Sequence, residues 1–179
     1  MTDRSLVPSR ISEPPQVVFG QTRPVDRPHF FPAASRAINV EELVRRAAAE
    51  LAPRAAAANV QIALALSIQG MTADPDLMMR VIANLLDNAI RHAPEDSTVR
   101  VAIARGADGV ELRVSDQGTG VPAELRDQIF ERFQRAGAAS TRANRGLGLA
   151  FCKLAVEAHG GRIWVEDGAP GAVFCVRIP

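Results

Sequence analysis

Residues 84–92 read NLLDNAIRH, and this stretch places two asparagines on one side of a predicted helix. Asn84 and Asn88 are four residues apart, and Arg91 and His92 follow three and four residues later, so all four share one stripe. Asparagine is unfavourable inside a helix because its amide competes for backbone hydrogen bonds. Two interpretations stay open: both amides face water, or their carbonyl oxygens hold a cation such as Mg²⁺ beside a phosphate.

The helix that carries these asparagines has clear predicted boundaries. Asp74 is a predicted N-cap followed by a proline at the first helical position, and the helix is expected to end near Pro94. An earlier helix is predicted to start after the N-cap residue Asn39, with Pro53 favouring a kink or an early end. The apolar face of the later helix contains Leu77, Met78, Val81, Ile82, Leu85, Leu86 and Ala89.

Alternating apolar residues predict strands around these helices. One strand is predicted within 60–68, and two more, over 99–103 and 110–114, flank a turn at 106–109 and form an antiparallel hairpin. A helical segment is expected near Pro122, another helix over 147–159, and a closing strand pair over 163–165 and 173–178. Helices on one face of a mixed, mostly antiparallel sheet make an α+β two-layer sandwich.

The chain of 179 residues is predicted to divide near residue 38. Six of its 12 prolines lie in the first 32 residues. Proline fixes φ and removes a backbone donor, so such a stretch does not form a regular helix or a central strand. Residues 1–38 are therefore expected to be a linker or a disordered tail, and residues 39–179 the folded domain.

Composition excludes several classes of function. With 21 basic and 20 acidic residues and a net charge of +1, the chain is not expected to bind nucleic acid. No run approaches the roughly 18 apolar residues of a membrane span, and the N-terminus lacks a signal-peptide core. Cys152 and Cys175 fit neither a disulfide framework nor a zinc site. These features predict a cytoplasmic domain without membrane contact.

Two short glycine-containing stretches are also candidates for ligand binding. DQGTG (116–120) follows a predicted strand, where a fixed carboxylate can accept a hydrogen bond from an exocyclic amine; it is equally compatible with an ordinary turn that starts with aspartate. RGLGLA (145–150) opens a predicted helix, and helix N-termini expose N–H groups suited to phosphate oxygens. Its spacing fits neither a Walker P-loop nor a Rossmann fingerprint.

The order of these stretches resembles the ATP-binding catalytic domain of sensor histidine kinases, within the wider family that includes gyrase, Hsp90 and MutL. Residues 84–91 resemble the N box of that family, 116–120 its G1 box, 129–133 its F box and 146–149 its G2 box. The resemblance covers residues 39–179 and implies the Bergerat ATP-binding fold. The chain departs from the family pattern at Asn144-Arg145, where glycines are common, and at Arg91, where lysine is frequent.

This resemblance implies an ATP and Mg²⁺ site with assigned roles. Asn84 and Asn88 would be catalytic residues that hold Mg²⁺, with Asn84 lining the same phosphate site, and Asp116 would accept a hydrogen bond from the adenine amino group. Residues 135–145 would be a lid, and Phe130 and Phe133 would anchor its near edge, a role that is compatible with their being core aromatics. The residues implied to contact the nucleotide or metal are Asn84, Asn88, Arg91, His92, Asp116, Gly118, Gly120, Val121, Phe133, Arg145, Gly146, Leu147, Gly148 and Leu149.

The resemblance also implies a phosphate acceptor and a partner. None of the three histidines, His29, His92 and His159, resembles the acceptor of such kinases, so a dimerisation hairpin in another segment or chain is expected to carry it. A response regulator would be the downstream partner. Two alternatives stay open: a nucleotide-binding regulatory or scaffold domain without phosphotransfer, and an anti-sigma-factor-like serine kinase, which the F box disfavours.

Overall fold

The computed structural model describes residues 34–131 and 147–179. These residues form seven strands and three α-helices. The helices are α1 (Val40–Ala57), α2 (Pro75–His92) and α3 (Gly148–Ala158). The strands are β1 (Arg36–Asn39), β2 (Gln61–Leu66), β3 (Gly70–Ala73), β4 (Thr98–Gly106), β5 (Gly109–Ser115), β6 (Arg162–Asp167) and β7 (Ala172–Ile178).

The main sheet has five strands in the order β2-β4-β5-β7-β6. β2 pairs with β4 in parallel, and every other neighbouring pair is antiparallel. β4 and β5 form the predicted hairpin, closed by the pair Gly106 and Gly109. The prediction of a mixed, mostly antiparallel sheet is confirmed.

Side-chain caps begin the first two helices at the predicted residues. Asn39 accepts a hydrogen bond from the Glu42 N–H at 3.1 Å, and Asp74 accepts from the Leu77 N–H at the same distance. Such caps satisfy donors that the first turn of a helix leaves unpaired. Pro53 does not end α1, which continues to Ala57, and α2 ends at His92.

The core lies between the helices and one face of the main sheet. The apolar face of α2 is buried against alternate residues of β4 and β5, as the spacing of these residues predicts. Burial of this face is the main favourable contribution to folding. The fully buried side chains of this core include Met78, Val81, Ile82, Leu85 and Leu86 of α2, and Val99, Val101, Ile103 and Val114 of the two strands.

Three features differ from the sequence-based expectation. β1 pairs antiparallel with β3 in a separate two-stranded ribbon, and the domain boundary expected near residue 38 falls inside β1. The helical segment expected near Pro122 consists of two short 3-10 turns, Ala123–Leu125 and Gln128–Phe130.

Residues 34–131 and 147–179 include no helix with the length and hydropathy needed to cross a bilayer.

Candidate functional site

The two asparagines of α2 are half-buried, at the border of its apolar face. A β-carbon built on Gly148 would lie 3.4 Å from Asn84 Oδ1, so the first residue of α3 lies directly against the Asn84 amide. Glycine allows this close approach because it has no side chain. The fold thus brings together the stretches 84–92 and 147–149, which are distant in the sequence.

The N-terminus of α3 has no side-chain cap within the described residues. Leu147 occupies the N-cap position, and its side chain makes no capping hydrogen bond. It is also 45% exposed, the one large hydrophobic side chain so exposed among residues 34–131 and 147–179. First-turn N–H groups without a side-chain cap carry positive partial charge and suit a phosphate oxygen.

Asp116 lies immediately after β5 and is only 4% exposed. Its Oδ1 atom accepts hydrogen bonds from the Gly118 N–H at 2.8 Å and from the Ala172 N–H at 3.4 Å. A buried carboxylate is costly unless it is hydrogen-bonded, so these donors fix its orientation. Both bonds use Oδ1, and within the described residues Oδ2 receives none, which leaves one carboxylate oxygen to accept from a ligand.

The loop 116–120 contacts the C-terminal end of α2. A β-carbon on Gly118 would lie 2.3 Å from the backbone oxygen of His92 and 3.0 Å from Asp116 Oδ1, so only glycine fits there. Gly120 has φ +75°, a left-handed conformation that favours glycine. Asn84 and His92 are eight residues apart, about 12 Å along the helix axis. The surface of α2 between them, the loop 116–120 and the start of α3 make up what we call the candidate site.

The sequence alone gave no indication of one residue that shapes this site. Gly171, in the turn between β6 and β7, has φ +94°, and a β-carbon there would lie 2.0 Å from the Asp116 backbone oxygen. The Asp116 N–H donates to the backbone oxygen of the neighbouring Ala172, and the Ala172 N–H donates to the side-chain Oδ1 of Asp116. The only available signal was a glycine in a turn after a proline, which is common in loops without function.

Arg91 is ion-paired within the protein. Its Nη2 atom lies 2.5 Å from Asp87 Oδ2, and Arg54 of α1 contacts the other oxygen of the same carboxylate at 2.5 Å. The structure pairs Arg91 with Asp87, and the position near the phosphates that the resemblance implies for Arg91 stays a prediction. His92 is an exposed residue whose backbone oxygen faces the loop 116–120.

The remaining predicted residues divide into three groups. Val121 and Leu149 are partly buried and pack against the core. Phe130 is buried and packs edge-to-face on Phe174, with ring centroids 6.4 Å apart, as expected of a core aromatic. Phe133, Arg145, Gly146 and the expected lid at 135–145 lie outside the described residues.

One ion pair connects α3 with the end of the first described range. Lys153 Nζ lies 2.9 Å from Glu131 Oε1, and this hydrogen bond raises the pKa of the lysine. Lys153 is one turn beyond Leu149 on α3, and Glu131 follows the second 3-10 turn. The contact therefore places Glu131, the last residue of the first described range, beside α3. As an exposed pair it contributes little to stability.

The fold and the glycine-lined site define a domain of the ATP-binding catalytic type found in sensor histidine kinases. Residues 73–179 match the family model for histidine kinase-, DNA gyrase B- and HSP90-like ATPases. This match covers more than half of the chain, so the chain belongs to that family. The sequence-based recognition of the domain is confirmed.

Individual relatives agree with this assignment. The adaptive-response sensory kinase SasA of Gloeothece citriformis is 42% identical over 109 residues, which are 60% of this chain and 28% of that protein. The mycobacterial sensor histidine kinase MprB has a solved structure with a TM-score of 0.72 and 27% identity, covering 80% of this chain and 96% of that one. Full-length ShkA in complex with AMPPNP gives a TM-score of 0.71 and 28% identity, over 83% of this chain and 32% of that one. The matched part is only about a quarter of the SasA relative's length.

Proposed function

We propose that this chain binds Mg-ATP in the candidate site and donates the γ-phosphate to a histidine on a dimerisation hairpin. The hairpin belongs to another segment or another chain. The observation that carries this proposal is the convergence on α2, where Gly148 contacts Asn84 and Gly118 contacts the backbone of His92. Three stretches that match family boxes thereby line one surface. Glycine turns without a shared function would not be expected to meet at one surface.

Asp116 recognises the adenine base in this proposal. Its buried carboxylate is oriented by two backbone N–H groups through Oδ1, and Oδ2 accepts a hydrogen bond from the adenine amino group. An ionised carboxylate accepts hydrogen bonds and donates none. It therefore favours adenine, which offers an amino group, over guanine, which offers a carbonyl oxygen at the corresponding ring position.

The phosphates lie between α3 and the asparagine stripe. The first-turn N–H groups of α3 bind phosphate oxygens, while the carbonyl oxygens of Asn84 and Asn88 hold Mg²⁺ as hard, neutral ligands. The residues present fit such a cation because Gly148, which faces the Asn84 oxygen, has no side chain to cover it. Bound Mg²⁺ would neutralise charge on the transferred phosphoryl group. The protein's part in the transfer is positioning and electrostatic stabilisation.

The partners follow from the same proposal. A histidine-bearing hairpin supplies the attacking imidazole, and a response regulator receives the phosphoryl group afterwards. Relatives named as sensor kinases and the ShkA complex with AMPPNP support both nucleotide binding and this signalling role. The near-neutral net charge of +1 supports a protein partner rather than nucleic acid. We place the domain in the cytoplasm, without membrane contact of its own.

A transfer assay tests this function. The chain is mixed with γ-labelled Mg-ATP and the isolated hairpin of a cognate kinase, with Asp116→Asn as the control of weakened ATP binding. Label on the hairpin histidine supports the proposal. Tight nucleotide binding without transfer would instead support a regulatory or scaffold domain, and label on a serine of a partner would support a serine kinase.

A further inference from the structure

His159 follows the last residue of α3 and joins that helix to the start of α2. Its Nε2 atom lies 2.8 Å from the backbone nitrogen of Asp74, the N-cap residue of α2. Its Nδ1 atom lies 2.7 Å from the backbone oxygen of Ala155, one turn back on α3. The half-buried ring thus contacts the backbone of both helices.

These two partners determine which ring nitrogen carries the hydrogen. A backbone N–H only donates and a carbonyl oxygen only accepts, so Nε2 is the acceptor and Nδ1 is the donor. The ring of His159 is therefore the neutral tautomer with its hydrogen on Nδ1. A ring protonated on both nitrogens would have no acceptor for the Asp74 N–H.

The hydrogen bond to Asp74 satisfies a donor that α2 does not satisfy by itself. In a capping box, a glutamate or glutamine at the third helical position accepts from the backbone N–H of the N-cap residue. That position of α2 is Leu77, whose side chain has no acceptor. His159 supplies the acceptor from another helix instead, so the cap of α2 becomes a contact between α2 and α3.

The two ends of α3 contact α2 at two points with matched spacing. Gly148 begins α3 beside the Asn84 amide, and His159 follows its last residue beside Asp74. Gly148 and His159 are 11 residues apart, and Asp74 and Asn84 are 10 residues apart. At 1.5 Å per residue these intervals span about 16 Å and about 15 Å of helix axis. The two helices therefore run antiparallel, and the His159 contact fixes their axial register at the end far from the candidate site.

We propose that His159 is a positioning residue that sets the axial register of α3 against α2 and thereby holds Gly148 at the Asn84 amide. A slip of one residue along a helix axis is about 1.5 Å, enough to move the first-turn N–H groups of α3 away from the asparagine stripe. His159 does not itself touch the nucleotide. The register is a property of the protein alone, and its effect on Mg-ATP rests on the function proposed above.

Four substitutions separate positioning from packing. His159→Phe keeps a ring and removes both nitrogens. His159→Gln keeps an acceptor that reaches as far as Nε2, whereas the shorter His159→Asn reaches only as far as Nδ1. Val156→Ala is the control for a purely structural loss, because it opens a cavity at a fully buried position of α3 and leaves both contacts of the His159 ring in place. Chemical denaturation measures the free energy of unfolding of each variant and shows that it is folded.

The first readout is the nitrogen spectrum of the His159 ring in nucleotide-free protein, in mildly alkaline buffer where histidine rings are neutral. The ring signals are assigned by their absence in His159→Phe. We expect hydrogen on Nδ1 and a scalar coupling between Nε2 and the backbone nitrogen of Asp74 across the hydrogen bond. A ring with its hydrogen on Nε2 would overturn the inference.

The second readout is the backbone amide resonance of Gly148, which reports the position of the start of α3. It should shift in His159→Phe and His159→Asn, return toward wild type in His159→Gln and stay unchanged in Val156→Ala. An unchanged Gly148 resonance in folded His159→Phe would contradict the positioning role.

The third readout is the Kd for Mg-ATP. Loss of one neutral hydrogen bond predicts a Kd that is about two- to tenfold higher in His159→Phe and His159→Asn, with recovery in His159→Gln. Val156→Ala should lower stability without changing the Kd. If the Kd of Val156→Ala rises as much as that of His159→Phe, the role of His159 is structural only and the inference fails.

The readouts also separate this inference from the proposed function. If wild type binds no Mg-ATP while the coupling and the Gly148 shift are observed, the proposed function fails and the register contact is upheld. If wild type binds Mg-ATP and His159→Phe leaves both the Gly148 resonance and the Kd unchanged, only the positioning role fails.

Discussion

The backbone oxygen of His92 lies 2.3 Å from the point that a β-carbon on Gly118 would occupy. The last residue of α2 and the loop after β5 are therefore in contact with no room for a side chain. Because the same loop begins with the buried Asp116, this contact fixes the distance between the proposed adenine acceptor and the asparagine stripe. A change at Gly118 should thus affect the site as well as stability.

Gly118→Ala should weaken ATP binding by at least about tenfold, because the methyl group forces the loop away from α2. Overpacking of this kind also costs about 1–3 kcal/mol in free energy of unfolding. Calorimetric titration and chemical denaturation measure the two effects. Gly106→Ala is the control, because a β-carbon there meets its nearest neighbour, the Gly109 oxygen, at an ordinary 3.7 Å. Wild-type affinity in folded Gly118→Ala would contradict the proposed geometry.

Asp116→Asn should reduce affinity for ATP by one to two orders of magnitude. A hydrogen bond to a charged group contributes about 1.5–3 kcal/mol, which corresponds to that loss. The preference for ATP over GTP should narrow, because an amide can also donate to the guanine oxygen. Titrations with both nucleotides test this, with Asp108→Asn in the exposed β4–β5 turn as the control. Undiminished affinity in folded Asp116→Asn removes Asp116 from the site.

Asn88→Ala should weaken binding of ATP more in the presence of Mg²⁺ than in a chelator. The reason is that the substitution removes a neutral oxygen proposed as a metal ligand, whereas metal-free nucleotide loses a smaller interaction. Parallel titrations in Mg²⁺ and in chelator give the comparison, and the chelator series is the internal control. Equal losses under both conditions would show that Asn88 does not hold the metal.

The N-cap of α2 makes a pH-dependent contribution to stability. Hydrogen bonds to the Asp74 carboxylate, first of all from the Leu77 N–H, hold its pKa below the usual value. A lowered folded-state pKa means that this stabilisation is complete above the ordinary aspartate pKa of about 4. It is then lost as the pH falls through the lowered value.

We therefore expect the free energy of unfolding of wild type to fall more steeply below about pH 4 than that of Asp74→Asn. Asparagine caps without a charge, so it removes this titration while keeping the cap. Asp74→Ala should cost about 1 kcal/mol at neutral pH. Denaturation at several pH values measures both effects, with Asp76→Asn in the same turn as the control. Identical pH profiles for wild type and Asp74→Asn would contradict this role.

Local chemistry was sufficient to predict much of the fold. The caps at Asn39 and Asp74, the glycine turn of the β4–β5 hairpin and the apolar spacing of α2 each depend on residues within a few positions of one another. These features are confirmed. The β1–β3 ribbon could not be predicted, because its strands have four residues each and are mostly exposed, so they show no strong alternation.

The candidate site was predictable as a set of stretches and less so as a set of contacts. Asn84, Asp116 and Gly148 come from short patterns that can be read locally. The contact of Gly171 with Asp116 and that of Gly148 with Asn84 join residues far apart in sequence. The ion pair of Arg91 with Asp87 joins residues one turn apart and was within reach of the i, i+4 rule.

The most direct test of the account is calorimetric titration of the folded chain with Mg-ATP at millimolar concentration, made at two temperatures so that a vanishing enthalpy is not mistaken for absence of binding. We predict saturable heat with one nucleotide per chain, and its loss or strong weakening in Asp116→Asn and Gly118→Ala. Folded wild-type protein that releases or absorbs no binding heat at either temperature would contradict the convergence of the three stretches on an ATP site.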